Sequence, residues 1–185
     1  MATPDIGSLT QIVIEGEAAW ARSVALLAQN KPDEALQALS IADNQVSVLR
    51  QETKVNHSQI RWLEARIERQ RARLMLRLGH QAEAVGALDK AVVLLEGTDN
   101  SGAIGSVLAE TKLERAGVIA RAGGPIRPQL ANFEDAIDSF VSSDAQGSIL
   151  PPAAEQYLDL LVADAKLNPG GASPEQFFRT LQAVG

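Results

Sequence analysis

The chain has 185 residues, no cysteine and a net charge of −6. That length supports one well-buried domain or one short solenoid. The missing cysteines exclude disulfides, thiolate metal sites and a cysteine nucleophile, and the acidic balance opposes binding to nucleic-acid phosphates. Hydrophobic residues make up 45% and aromatic residues only 4%, so Ala and Leu carry the apolar content, a composition for close helix packing rather than a sheet.

Apolar residues recur at three and four along the chain, the period of amphipathic helices. They predict eight helices, at 8–29, 33–50, 57–78, 81–96, 103–122, 132–143, 151–166 and 173–184. The breaks have local causes. Asn30 tolerates the left-handed C-cap conformation, and Pro32, Asp33 and Glu34 suit the start that follows it. Gly79 ends the third helix in the same way. The cluster Gly97–Gly102 and the run Gly123-Gly124-Pro125 with Pro128 interrupt the chain again. Pro151 and Pro152 fit a first helical turn, and Ser173-Pro174-Glu175-Gln176 reads as a capping box. Helices joined by such short turns pack as antiparallel hairpins. No apolar run reaches the roughly 18 residues of a membrane span, and Met-Ala-Thr-Pro-Asp has no leader pattern, so no membrane association and a cytoplasmic location are expected.

The chain repeats itself. Glu34, Ala35, Leu36, Ala38, Leu39 and Ala42 recur 49 residues later (83 − 34) as Glu83, Ala84, Val85, Ala87, Leu88 and Ala91, with Asn30 and Gly79 at the same turn position. Leu26-Leu27 matches Met75-Leu76. A weaker third copy places Ala136, Phe140 and Ser143 52 residues (136 − 84) beyond Ala84, Leu88 and Ala91, with an insertion at Gly123–Gln129.

These residues resemble the tetratricopeptide repeat family. Ser23 and Ala72 stand at its small residue midway along the first helix, and Gly79 at its turn glycine. Ala35, Leu39 and Ala42, like Ala84, Leu88 and Ala91, stand at the small–large–small positions of its second helix. The sequence departs from the family in spacing, 49–52 residues against about 34, and in carrying Glu68 and Arg71 where the family has bulky apolar residues. The resemblance covers about residues 9–143. It implies an all-α fold of about eight helices, stacked as antiparallel hairpins into a right-handed solenoid whose first helices line a concave groove. Residues 1–185 then form one repeat domain, part of a longer chain. The segment Gly147–Leu161, with Phe177-Phe178-Arg179 and Gln182–Gly185, is similar to the end of the repeat region in bacterial proteins carrying a CHAT domain, a caspase-like cysteine peptidase. That similarity implies a regulatory or substrate-recruiting repeat region for such a peptidase.

No catalytic or cofactor-binding constellation is visible. His57 and His80 lie 23 residues apart (80 − 57) without a carboxylate or second histidine at ligand spacing. Gly102-Ala103-Ile104-Gly105 lacks the strand, the third glycine and the Lys-Ser/Thr pair of a phosphate loop, and no Gly-x-Ser-x-Gly occurs. Glu134/Asp135 and Asp159/Asp164 read as solvated helix faces.

One feature stands out. Six of the 17 basic residues lie between 61 and 77. Arg66, Arg69, Arg73 and Arg77 fall within about 80° of one helix face, joined by Trp62, opposite an apolar stripe of Ile60, Leu63, Ile67, Leu74 and Leu78. In the tetratricopeptide arrangement these arginines line the groove beside Glu17, Trp20, Val24 and Ala28 of the first copy. The strip either grips carboxylates of an acidic protein or peptide, or is a solvated face paired with Glu17, Glu110 or Glu114. The expected function is a non-catalytic protein-interaction scaffold, with partner-binding residues Trp20, Trp62, Arg66, Arg69, Arg73 and Arg77. The alternatives are the CHAT-associated role and a module that dimerises through an end hairpin.

Overall fold

The computed structural model describes residues 6–52, 57–98, 103–142 and 151–168, with Gln176, Phe177 and Thr180. Among them lie seven helices: α1 Ile6–Ala28, α2 Pro32–Arg50, α3 His57–Arg77, α4 Gln81–Glu96, α5 Ala103–Ala122, α6 Ile126–Ser142 and α7 Pro151–Leu167. No strand occurs among the described residues. The fold is all-α, as the apolar period predicts. Of the expected eighth helix, Gln176, Phe177 and Thr180 are helical; the rest of 173–184, with its capping box, lies outside the described residues, as do 99–102 and 143–150.

The chain divides into two compact units, Met1–Thr98 and Asp99–Gly185. In the first, α1 packs on α2, α3 packs on α4, and α3 also meets both α2 and α1. The two hairpins reproduce each other at their turns. Asn30 has φ +60° and Gly79 φ +83°. Around Asn30, Lys31 N donates to Leu26 O at 3.0 Å and Asn30 N to Leu27 O at 2.9 Å; around Gly79, His80 N donates to Met75 O at 2.8 Å and Gly79 N to Leu76 O at 3.2 Å. This is a Schellman cap formed twice at the 49-residue offset, satisfying carbonyls that a helix end leaves orphaned. The next helix starts alike in both: Ala35 N bonds Lys31 O and Ala84 N bonds His80 O, each at 3.0 Å.

The small–large–small pattern then does its packing. Ala35, Leu39, Ala42, Ala84, Leu88 and Ala91 are all fully buried. Alanine lets helix axes approach, and each enclosed leucine adds roughly 2 kcal/mol of apolar burial. Ser23 and Ala72, the small residues of the first helices, are likewise fully buried. A common core runs from Leu26, Leu39, Val46 and Leu49 to Ile60, Leu63, Ile67 and Leu74. Leu78, expected in that stripe, is exposed at 39%, because it follows the last helical residue, Arg77, and the chain has begun its turn.

In the second unit, α6 packs on α5 and α7 meets both. The third hairpin differs from the sequence reading. Its turn is Gly123 and Gly124, with φ +79° and +118°, and α6 begins at Ile126, six residues before the expected start (132 − 126). Pro128 does not break this helix, because the first-turn N–H it lacks would have had no intrahelical acceptor. Gly123–Gln129 is therefore a short turn leading into the first turn of α6. Phe133 and Ala136 are fully buried, with Leu130 and Ile137 beside them. The Phe133 ring stacks on Tyr157 of α7, centroids 5.4 Å apart and planes 28° from parallel. Gln156 of α7 donates to Gly117 O of α5 at 3.2 Å.

Candidate functional site

The face shared by α1 and α3 is built from the 49-residue register. Placing the buried sides of both helices against α2 leaves Glu17 and Trp20 of α1 next to Arg66 of α3. The Trp20 indole N–H donates to Arg66 O at 3.1 Å. The Arg66 guanidinium lies over the same indole, 3.6 Å from its centroid, a cation–π contact favoured by partial desolvation. Its ion pair with Glu17 is long, 3.9 Å from Nη1 to Oε1, and Glu17 is half exposed. Burial pushes the Arg66 pKa below its ordinary value and the Glu17 charge acts in the opposite direction. Trp20 and Trp62, both partially buried, lie on these two helices.

Further along, Gln70 Nε2 lies 3.5 Å from Ser23 Oγ, both groups buried. Arg77 closes the row. Its Nε donates to Asn30 Oδ1 at 3.2 Å, and its Nη2 meets the same oxygen. The strip expected from the sequence is thus tied to α1 at one end and to the turn after α1 at the other. Arg69 is partly buried and Arg73 exposed, and both have partners of their own.

Two pairings on α3 escape a reading of helix periodicity. Arg71 donates from Nη2 to Asp43 Oδ2 of α2 at 2.5 Å and from Nε to Glu68 Oε2 at 3.1 Å. Burial opposes its charge, yet the hydrogen bond and charge of Asp43, with those of Glu68, hold its pKa above the ordinary arginine value. Glu68 and Arg71 occupy positions expected to be bulky and apolar, and here join α2 to α3 by an ionic clasp. Glu64, nearly buried, takes an ion pair from the exposed Arg50 of α2, and its Oε1 has no hydrogen bond of ordinary geometry beyond that contact. The signal available in the sequence was one of type: Glu68 and Arg71 are charged where the resemblance to tetratricopeptide repeats leads one to expect bulky apolar residues.

Elsewhere the polar groups serve the fold. Lys112 bridges α5 to α6 through Asp135 at 3.1 Å and Ser139 at 3.1 Å, and Arg115 Nη1 donates to Asn132 Oδ1 at 3.2 Å. Contrary to the expectation from the sequence, His80 does have a carboxylate at helical spacing: its Nδ1 lies 2.9 Å from Oε1 of Glu83, three residues on, and the two make a local contact at the start of α4. A pocket of about 120 Å³ is lined by Glu134, Ile137, Asp138, Tyr157, Gln176 and Thr180. Gln176 Nε2 bonds Glu134 across it at 2.7 Å, and Thr180 Oγ1 donates to Gln176 O at 2.8 Å. Among the described residues no group of three or more His, Asp or Glu gathers into a metal-binding set, and no helix is long and apolar enough to cross a membrane. Of the residues carrying the similarity to CHAT-associated repeats, Gly147–Leu150, Phe178, Arg179 and Gln182–Gly185 lie outside the described residues. No protein-family model, curated protein or solved structure matches this chain.

Proposed function

We propose that the chain is a non-catalytic interaction scaffold of tetratricopeptide-like hairpins that holds a partner protein or peptide on the face shared by α1 and α3. The observation that carries the reading is Arg66. Its guanidinium lies over the Trp20 ring, 3.6 Å from the centroid, and is partly desolvated, while its acidic neighbour Glu17 stands at 3.9 Å, beyond hydrogen-bond distance. A guanidinium fixed in this way has lost its rotamer freedom in advance, and its outer N–H groups are set to take a carboxylate bidentately. Arg69 and Arg73 extend positive charge along the same helix face, so the fitting ligand is acidic.

Binding is tested with the Trp62→Phe variant, in which Trp20 is the only indole. The probe is acetyl-Glu-Ala-Glu-Ala-Glu-amide, with its Lys-for-Glu counterpart as control. The reading expects the acidic peptide alone to change Trp20 emission saturably, and Arg66→Gln, or Arg69→Glu with Arg73→Glu, to weaken that binding at least ~10-fold, the scale of one charge-assisted pair. Equal response to both peptides, or binding unchanged by the arginine variants, rejects it.

A further inference from the structure

The 49-residue register makes a comparison inside the chain. On α3, Ile60, Leu63, Ile67, Gln70 and Leu74 are each at most 4% exposed. They are buried against the preceding hairpin: the four apolar ones share a core with Leu26, Leu39, Val46 and Leu49 of α1 and α2, and Gln70 reaches Ser23. Their counterparts on α1 are Gln11, Ile14, Ala18, Ala21 and Ala25, with Ala28 continuing the row. All six are exposed, and Ile14 is 60% exposed. The face by which the second hairpin docks is thus repeated on the first and, among the described residues, is left exposed. This row carries no charge, and its spacing of 3-4-3-4-3 is that of a helix-pairing seam.

We infer that this seam pairs α1 with α1 of a second copy, antiparallel, as a two-fold dimer. The seam is self-complementary. With Ala18 level with Ala21 of the second copy, Ile14 stands opposite Ala25, a large residue against a small one, and Gln11 opposite Ala28. Small side chains at the centre let the axes approach. One edge of the seam carries Glu15 and Arg22, both exposed. In an antiparallel pair like edges face each other, so Glu15 of each copy lies within about 3 Å, along the axis, of Arg22 of the other. Within the chain Glu15 is met by neutral amides, Gln11 at 2.8 Å and Gln45 at 3.0 Å, so its charge is left for that cation. Two chains of net charge −6 meet through an uncharged seam and an oppositely charged edge. The two-fold relation closes the assembly at two copies.

The test is sedimentation velocity of the 185-residue chain from about 1 to 200 µM, the range suited to an interface of one helix pair. The unaltered chain shifts from monomer to dimer. Ala21→Arg and Ala25→Arg, at exposed positions, keep the circular dichroism and melting temperature and sediment as monomers throughout. Arg22→Glu weakens the dimer about 10-fold, and adding Glu15→Arg restores it, as charge exchange across a two-fold axis requires. A monomer at every concentration, a dimer indifferent to Ala21→Arg and Ala25→Arg, or a charge exchange that fails to restore association overturns the inference. Peptide binding to Trp20 is read separately and is unaffected by any of these outcomes.

Discussion

Trp20 and Arg66 hold each other twice: the indole N–H bonds the Arg66 carbonyl at 3.1 Å, and the Arg66 guanidinium lies 3.6 Å above the indole ring. One contact is made by the backbone and the other by the side chain of a single residue, so the register of α1 against α3 is pinned independently of the apolar core beneath. Trp20→Phe removes the hydrogen bond and keeps a ring under the cation, and is expected to cost ~1 kcal/mol. Trp20→Ala removes the ring, at ~3 kcal/mol. Urea denaturation followed by circular dichroism checks both; equal costs for the two variants would show that the ring adds nothing.

The same substitution at two glycines should act with opposite sign. A Cβ at either Gly79 or Gly86 meets nothing within 4 Å, so sterics with neighbours drop out. Gly79 has φ +83°, and Gly79→Ala is expected to cost about 1–2 kcal/mol through backbone strain. Gly86 lies inside α4, and Gly86→Ala is expected to stabilise by ~0.5–1 kcal/mol through the unfolded chain's entropy. Thermal melts of the two variants compare these directly.

Glu64 is buried and its compensating charge, Arg50, comes from the surface side of α2. Arg50→Ala leaves that carboxylate unpaired, with an expected loss of ~2 kcal/mol. Adding Glu64→Leu removes the stranded charge and should recover most of it. Denaturant midpoints of the single and double variants decide the point; a double variant as unstable as the single would place the loss in packing of the Arg50 stem.

Arg71 is held charged by Asp43 and Glu68 against the effect of its own burial. A cation whose pKa is raised on folding gains stability that is complete below its unfolded pKa and is lost only as pH rises through the folded one. Both lie above the accessible range for arginine. Arg71→Gln should therefore cost ~0.5–1 kcal/mol with no trend between about pH 6 and pH 10. Stability curves of the variant and the parent chain, run in parallel over that interval, should stay equidistant.

Much of the architecture was legible from residue order because its determinants are local. Asn30 and Gly79 supply the left-handed turns, and the alanine and leucine spacing of α2 and α4 announces the faces that are buried. The third hairpin was misread where a local rule has two outcomes: Pro128 ends a helix if it falls in the interior, but costs nothing in the first turn of α6. The row of arginines on α3 was visible too, since helical period alone assigns side chains to a face.

The sequence by itself determined the all-helical class, the repeated hairpin and the residues that would line its first helices, because period, caps and side-chain volume act within a few turns of chain. Tertiary structure decided what those residues touch. It set Arg66 on Trp20 and Arg77 on Asn30, 46 and 47 residues apart in the chain, and gave Arg71 to Asp43. It buried Leu63 and Ile67 while leaving Ile14 and Ala18 bare at the equivalent positions. Partners so distant in sequence are chosen by the docking of one hairpin on the next, where burial and charge compete across helices and no local pattern records the result.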